Sequence, residues 1–118
     1  MKDYRKIIVW EKAHALVLKI YAEAFDDFPQ DESFRLVSQI KRAAYSIPLN
    51  IVEGASRNTD KDFAHFLDVA LGSCVELEYA LFLTKDLGFL SLDKYQDFNI
   101  RTGEVKAMLI GFIKKIRK

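Results

Sequence analysis

The chain has 118 residues, of which 50% are apolar and 30% are charged, and this balance excludes an intrinsically disordered chain. Its 18 Lys and Arg residues oppose 17 Asp and Glu residues, so the net charge of +1 gives no overall reason to expect nucleic-acid binding. Uninterrupted apolar runs, such as residues 7–10, are far shorter than the roughly 18 residues of a membrane-spanning helix.

Two further features of the sequence bear on the compartment. The first residues, 1–6, lead into no apolar signal core, so secretion by a signal peptide is not expected. Cys74 is the single cysteine, which rules out an internal disulfide and is typical of a reducing environment. We therefore expect a cytoplasmic protein with one domain over residues 1–118.

The spacing of apolar residues predicts amphipathic helices along almost the whole chain. The first helix covers about residues 8–25 and ends before Pro29, because a proline disfavours helical backbone at the residue that precedes it. The second covers about residues 32–56 and contains Pro48. A proline inside a helix removes a backbone hydrogen bond, so we expect a kink there.

The third helix is the longest, covering about residues 59–87, or roughly 40 Å. Thr59, with Asp62 three residues later, resembles a capping box at its start, and Gly88 is a suitable terminator. The fourth helix begins near Ser91, a favourable N-cap residue. No segment alternates with a period of two for long enough to indicate a strand. The pattern predicts an all-α fold, an up-down-up-down antiparallel four-helix bundle.

The third helix carries a second apolar band beside the seam that faces the core. The residues of this band, named here the α3 band, are Leu71, Val75, Tyr79 and Phe82. One interpretation is a broad core contact with two neighbouring helices. The other is a subunit interface, which we favour because monomeric proteins rarely expose apolar patches of this size.

The second helix carries a polar stripe away from its apolar seam. The members of this stripe are Gln39, Arg42, Ser46, Asn50, Glu53 and Arg57. Three interpretations are open: a solvated face, a hydrogen-bonded network between subunits, and a ligand site. If the network lies between subunits, the predicted interface takes from this stripe Arg42, Ser46, Asn50 and Glu53.

Charge is segregated along the axis of the predicted bundle. In this topology one end collects both chain termini and the loop between the second and third helices. The cationic residues of that end, named here the basic pole, are Lys2, Arg5, Lys6, Arg57, Lys61, Lys114, Lys115, Arg117 and Lys118. Complementarity to helix dipoles explains part of this pattern. The alternative is that the basic pole neutralises phosphates without reading a nucleotide sequence.

The opposite end of the predicted bundle is acidic. Its carboxylates, named here the acidic pole, are Glu23, Asp26, Asp27, Asp31, Glu32, Asp86, Asp93 and Asp97. Helix dipoles explain Asp26 and Asp86 poorly, because these two lie near helix C-termini, where a negative charge is unfavourable.

No pattern of catalytic or metal-binding residues stands out. The sequence contains neither the P-loop pattern nor GxGxxG. His14 and His65 are isolated, and the Glu-x-x-His pairs of a di-iron bundle are missing. Cys74 falls in the seam of the third helix and is interpreted as a small core residue. We expect no enzymatic activity, no cofactor and no metal.

Several blocks of sequence together resemble a known family. The most specific is Ser-Ile-Pro-Leu-Asn-Ile-Val-Glu-Gly at residues 46–54. Others, in matching order, are Val-Trp-Glu-Lys-Ala at 9–13, Phe-Pro at 28–29, Gln-Ile-Lys-Arg-Ala at 39–43, and the stretch from Phe-Leu at 66–67 to Gly-Ser at 72–73. Together with Glu76 and Glu78, they resemble bacterial four-helix-bundle proteins encoded in intervening sequences of 23S ribosomal RNA genes.

The resemblance implies an up-down-up-down bundle that assembles into homopentameric rings, with the α3 band and the polar stripe at subunit contacts. The biochemical activity of most such proteins is unknown. A similar protein, the accessory variability protein of diversity-generating retroelements, is a pentamer of this fold that binds a reverse transcriptase and associates with nucleic acid. We therefore expect a non-enzymatic homo-oligomer that associates with RNA or DNA through the basic pole. The alternative is a protein-interaction scaffold with no nucleic-acid role.

Overall fold

Four helices account for most of the computed structural model, which describes residues 1–32 and 34–118. They are α1 (Ile8–Glu23), α2 (Leu36–Ala55), α3 (Asp60–Asp86) and α4 (Leu92–Ile116). Each helix packs against the next, α4 also packs against α1, and the described residues contain no strand. None of the helices is long and apolar enough to cross a membrane. The predicted all-α four-helix bundle is confirmed.

Hydroxyl side chains begin the two longest helices, as predicted. Thr59 Oγ1 accepts a hydrogen bond from the N–H of Asp62 at 3.1 Å, and Ser91 Oγ accepts one from the N–H of Lys94 at 3.2 Å. Each bond satisfies one of the backbone donors that the first turn of a helix leaves without a partner.

The end of α3 depends on a glycine. Gly88 has a φ of +83°, a conformation that other residues rarely adopt. Its N–H donates to the carbonyl of Lys85 at 3.0 Å, and the N–H of Phe89 donates to the carbonyl of Thr84 at 3.1 Å. This pair of bonds is a Schellman motif, which stops α3 and turns the chain toward α4.

The start of α2 differs from the prediction. The helix begins at Leu36 rather than near residue 32, and Gln30–Glu32 form a separate 3-10 turn. In this stretch the N–H of Glu32 donates to the carbonyl of Pro29 at 3.0 Å, and the N–H of Arg35 donates to the carbonyl of Glu32 at 3.1 Å. These tight turns stand where the first turn of α2 was predicted. Ser33, which falls in the predicted helix, lies outside the described residues.

The core is a single apolar cluster to which all four helices contribute. The predicted seam of α3 is fully buried and consists of Phe63, Leu67, Ala70, Cys74, Leu77, Leu81 and Thr84. The buried hydroxyl of Thr84 donates to the carbonyl of Ala80 at 2.6 Å, so it leaves no unpaired polar group in the core. The prediction that Cys74 is a core residue is confirmed.

Gly54 lies where α2 and α3 approach closely. A Cβ atom at this position would lie 2.6 Å from Phe63 Cδ1 and 3.0 Å from Phe66 Cβ. The missing side chain therefore allows the end of α2 to pack directly on the first turns of α3. This contact fixes Arg57 in the α2–α3 loop and Lys61 in the first turn of α3 at one end of the bundle.

Candidate nucleic-acid and subunit interfaces

The structure brings the segments of the basic pole together at one end of the bundle. The N–H of Lys2 donates to the carbonyl of Ala55 at 2.8 Å, which attaches the N-terminal segment to the end of α2. Phe112, near the end of α4, packs its ring against that of Phe63 in the first turn of α3, with centroids 5.4 Å apart. The chain termini and the α2–α3 loop are therefore neighbours.

Two arginines of the basic pole are paired with carboxylates of the same chain. Arg117 donates from both terminal nitrogens to the two oxygens of Asp68, with the Nη1–Oδ1 distance at 2.9 Å. Arg57 lies 3.5 Å from Glu53 and also stacks over the ring of Phe66, 4.7 Å from its centroid. These two guanidinium groups are less available to a phosphate than unpaired cations.

The lysines of the basic pole are different, because none makes an ion pair or a side-chain hydrogen bond within residues 1–32 and 34–118. These lysines are Lys2, Lys6, Lys61, Lys114, Lys115 and Lys118. Their ammonium groups are exposed to solvent and retain their positive charge for a partner.

The bidentate pair also shifts the titration of both its members. Hydrogen bonds from Arg117 hold the pKa of Asp68 below its ordinary value of 3.8, and the attraction of the two charges adds to this effect while partial burial opposes it. The same hydrogen bonds raise the pKa of Arg117. At neutral pH the pair is fully ionised and nearly neutral overall, so Arg117 adds little to the positive field of the pole.

Lysines neutralise part of the acidic pole. Lys94 Nζ donates to the carbonyl of Glu23 at 2.9 Å and lies 3.1 Å from Asp26 Oδ2. Lys85 lies 3.2 Å from Asp86. These ion pairs explain why Asp26 and Asp86 are tolerated near helix C-termini. They neutralise carboxylates of the acidic pole, whereas the lysines of the basic pole have no ion pair among the described residues.

The α3 band divides into two parts. Val75 is 49% exposed and Tyr79 is 63% exposed. Leu71 instead packs against the core, and the ring of Phe82 lies 6.3 Å from that of Tyr95 on α4. Phe82 is nevertheless 45% exposed, so Val75, Tyr79 and Phe82 all leave apolar surface uncovered. Their role in a subunit interface stays a prediction.

The polar stripe of α2 makes hydrogen bonds within the protomer. Ser46 Oγ and Ser73 Oγ share a hydrogen bond of 2.8 Å between α2 and α3. Asn50 Nδ2 donates to the carbonyl of Ser46 at 2.8 Å and to its hydroxyl at 3.0 Å. Arg42 is exposed, whereas Glu53 pairs with Arg57. The role of the stripe in a subunit interface stays a prediction.

Sequence reasoning missed three exposed apolar side chains near the stripe. Tyr45 is 42% exposed and Leu49 is 52% exposed. On α2 they immediately precede Ser46 and Asn50, two members of the stripe. Val69 on α3 is 42% exposed and accepts a hydrogen bond from Ser73 through its carbonyl. The i, i+4 spacing of Tyr45 and Leu49 was the available signal.

The comparisons with known proteins identify the family. Residues 5–111 match the family described as 23S rRNA-intervening sequence protein. The chain belongs to this family. A comparison with curated protein sequences gives no match.

A solved structure agrees with this membership of the 23S rRNA-intervening sequence proteins. It is a protein of unknown function from the S23 ribosomal protein family of Bacteroides thetaiotaomicron. The two chains are 27% identical, with a TM-score of 0.83 over 91% of this chain and 96% of the other. The likeness covers most of both chains, and the neighbour's description gives no activity.

In this intervening-sequence protein, the block at residues 46–54 holds α2 against α3. Ser46 makes the hydrogen bond to Ser73 on α3, Asn50 donates to the hydroxyl of Ser46 from within α2, and Gly54 leaves the space for close approach. The most specific part of the resemblance therefore has a packing role. Within the described residues, no group of three or more His, Cys, Asp or Glu side chains is placed to hold a metal ion.

Proposed function

We propose that this chain is a non-enzymatic homo-oligomer, assembled as a pentameric ring, that associates with RNA or DNA through its basic pole. The observation that carries the proposal is the cluster of lysines without ion pairs at one end of a chain whose net charge is only +1. Unpaired ammonium groups bind phosphates and release counterions, which favours association independently of nucleotide sequence. A ring would repeat this cluster on one face and strengthen its field.

The titratable groups support a non-enzymatic role. The shifted pKa values belong to Cys74 in the core, to the surface pair of Asp68 and Arg117, and to Asp97, whose carboxylate accepts a hydrogen bond from Arg101. Catalytic groups typically have shifted pKa values within a cleft that a substrate enters. The shifts of this chain arise from core packing and from surface ion pairs instead.

In a closed ring of five, one surface of each subunit contacts a different surface of the next subunit, because such contacts are heterologous. The α3 band, through Val75 and Tyr79, supplies one apolar surface. The polar stripe of α2 is proposed as the other, and the exposed Tyr45 and Leu49 beside it add apolar area. The aromatic side chains of both surfaces are of a type enriched at interfaces.

The proposal is tested by titrating a fluorescent structured RNA with the protein at several salt concentrations. We expect binding that weakens steeply with salt, with a slope that reports the number of phosphates contacted. The Lys114→Gln/Lys115→Gln variant should bind less tightly and lower the slope by about 2. Arg117→Gln should have a smaller effect, because Asp68 already pairs with this arginine.

The matched control is Lys12→Gln/Lys85→Gln, which changes the net charge equally but away from the basic pole. Both of these lysines make ion pairs, with Glu104 and Asp86 respectively. We expect this variant to bind RNA like the parent protein. Equal losses in the two double variants would show that only net charge matters, and no binding at low salt would overturn the proposal.

The second candidate function is a scaffold that docks another protein. The exposed Val75 and Tyr79 favour it, because a ring contact is only one use for uncovered apolar surface. Affinity purification with and without nuclease separates the two functions. A stoichiometric protein that remains after nuclease treatment supports the scaffold, whereas loss of all partners supports nucleic-acid association.

A further inference from the structure

An apolar groove lies beside the basic pole, between the start of α1 and the end of α4. Its volume is about 390 Å³, and its apolar walls are Ile7, Ile8, Val9, Met108 and Phe112. Ligand sites typically have volumes of about 300–1,000 Å³ with mainly apolar walls and a few polar groups that orient the ligand. The groove has both properties.

The walls of the groove combine exposed and half-buried apolar surface. Ile8 is 67% exposed, although it begins a helix whose other face is in the core. Met108 and Phe112 are half-buried and pack against the core. Methionine is flexible and adapts its shape to apolar ligands. An alkyl chain in the groove would cover surface that the fold leaves in water.

The charged residues that line the groove are all cationic. They are Lys6 and Lys115, and neither makes an ion pair within the part of the chain that the structure describes. A second groove further along the same α1–α4 seam is different, because Lys12 and Glu104 pair there at 3.2 Å. Of these two grooves, the one at the basic pole has cationic lining residues and no lining carboxylate.

We propose that this groove binds a single-chain anionic amphiphile, with its alkyl chain against Ile8, Met108 and Phe112 and its anionic head at Lys6 and Lys115. Burial of the alkyl chain supplies the apolar part of the affinity. Long lysine side chains can follow an apolar surface while their ammonium groups meet the head. The charge of the groove thus selects an anionic head over a cationic one.

The test uses decanoate below its micellar concentration, titrated into the full-length protein by calorimetry, with decyltrimethylammonium as the cationic counterpart of equal chain length. We expect decanoate to bind roughly tenfold more tightly than decyltrimethylammonium. The Lys6→Gln/Lys115→Gln variant should lose this preference. Equal binding of the two amphiphiles to the parent protein would overturn the proposal.

A second pair of variants tests the groove itself. Ile8→Ser should weaken decanoate binding roughly tenfold, whereas Ile100→Ser should leave it unchanged. Ile100 is the matched control, because it is 69% exposed on α4 and does not line the groove. Equal effects of the two substitutions would contradict the proposed location. The titration contains no RNA and Ile8→Ser keeps the basic pole intact, so failure here is distinct from failure of the proposed RNA binding.

Discussion

At the scale of single residues, two positions show how tightly α2 and α3 are joined. Gly54 leaves no room for a Cβ atom between α2 and Phe63. Ser46 reaches Ser73 across the same pair of helices. Backbone approach at one position and a hydrogen bond at the other fix the relative placement of the two helices that carry all of the predicted interface residues.

The close approach at Gly54 predicts a loss of stability on adding a methyl group. Gly54→Ala should lower the free energy of unfolding by about 1–3 kcal/mol, because its Cβ would overlap Phe63. Gly111→Ala is the control: nothing lies within 4 Å of its Cβ position, and the change should stabilise α4 by about 0.5–1 kcal/mol. Urea unfolding of both variants measures this, and equal effects would contradict the packing argument.

Burial at Cys74 predicts an unusual dependence on alkaline pH. Burial raises the pKa of this thiol from 9.0 to about 12, with a smaller contribution from Glu78. The unfolded chain loses the proton first as pH rises, so the contribution to stability is complete below pH 9 and is lost between about pH 9 and 12.

The measurement compares the parent protein with Cys74→Ala, which removes the thiol and retains the other alkaline groups. Between pH 9 and 11 the parent should lose about 1 kcal/mol more unfolding free energy per pH unit than the variant. Parallel curves would contradict the shift. Iodoacetamide should label Cys74 in urea but not in the folded protein, because only the thiolate reacts.

Capping residues made the starts of two helices predictable from the sequence. Thr59 and Ser91 are N-cap residues whose hydroxyls accept bonds from nearby backbone, so the predicted starts of α3 and α4 agree with the structure. Arg35, the N-cap of α2, makes no side-chain capping bond. Without a local signal at that position, the apolar spacing extended the predicted helix too far toward Pro29.

At the scale of elements, the last turn of α4 is attached to α3 by Asp68 and Arg117. Asp68→Asn should release this turn, because the amide NH2 group is a donor and cannot accept the second hydrogen bond of the bidentate pair, and because the negative charge is lost. Faster amide hydrogen exchange near Arg117 is expected, with unchanged exchange in the middle of α4. Asp93→Asn is the control, since Asp93 lies in the first turn of the same helix.

The attachment of the α4 end to α3 should weaken at low pH. The pKa of Asp68 is lowered in the folded state, so the pair contributes its stability above the ordinary value of 3.8 and loses it as pH falls through the lowered pKa. Protection of the α4 end that disappears well above pH 4 would contradict the assignment to Asp68.

At the scale of the whole molecule, the uncovered apolar surface predicts an assembly. Val75→Glu should give smaller particles, because a buried carboxylate without a partner strongly opposes association. Val75 is half exposed, so the folded protomer should tolerate the change. Ile100→Glu is the control on α4. Light scattering coupled to size exclusion measures both, and equal masses for Val75→Glu and the parent would argue against this interface.

Topology explains what could be predicted about the candidate site. Helix lengths and alternating directions determine which chain segments meet, so the grouping of the basic pole followed from the sequence. Which of its cations are free did not follow, because Arg117 pairs with a residue 49 positions away in the chain. The Ser46–Ser73 contact was missed for the same reason: it depends on the rotation of two packed helices.

The segregation of charge predicts how this molecule adsorbs to charged surfaces. With an isoelectric point of about 7.8, it should hardly migrate in an electric field near that pH. Adsorption responds to local rather than total charge, so a negatively charged resin should still retain it under the same conditions. The bound molecules would stand on end, with their 44 Å axis along the surface normal and their acidic pole outward.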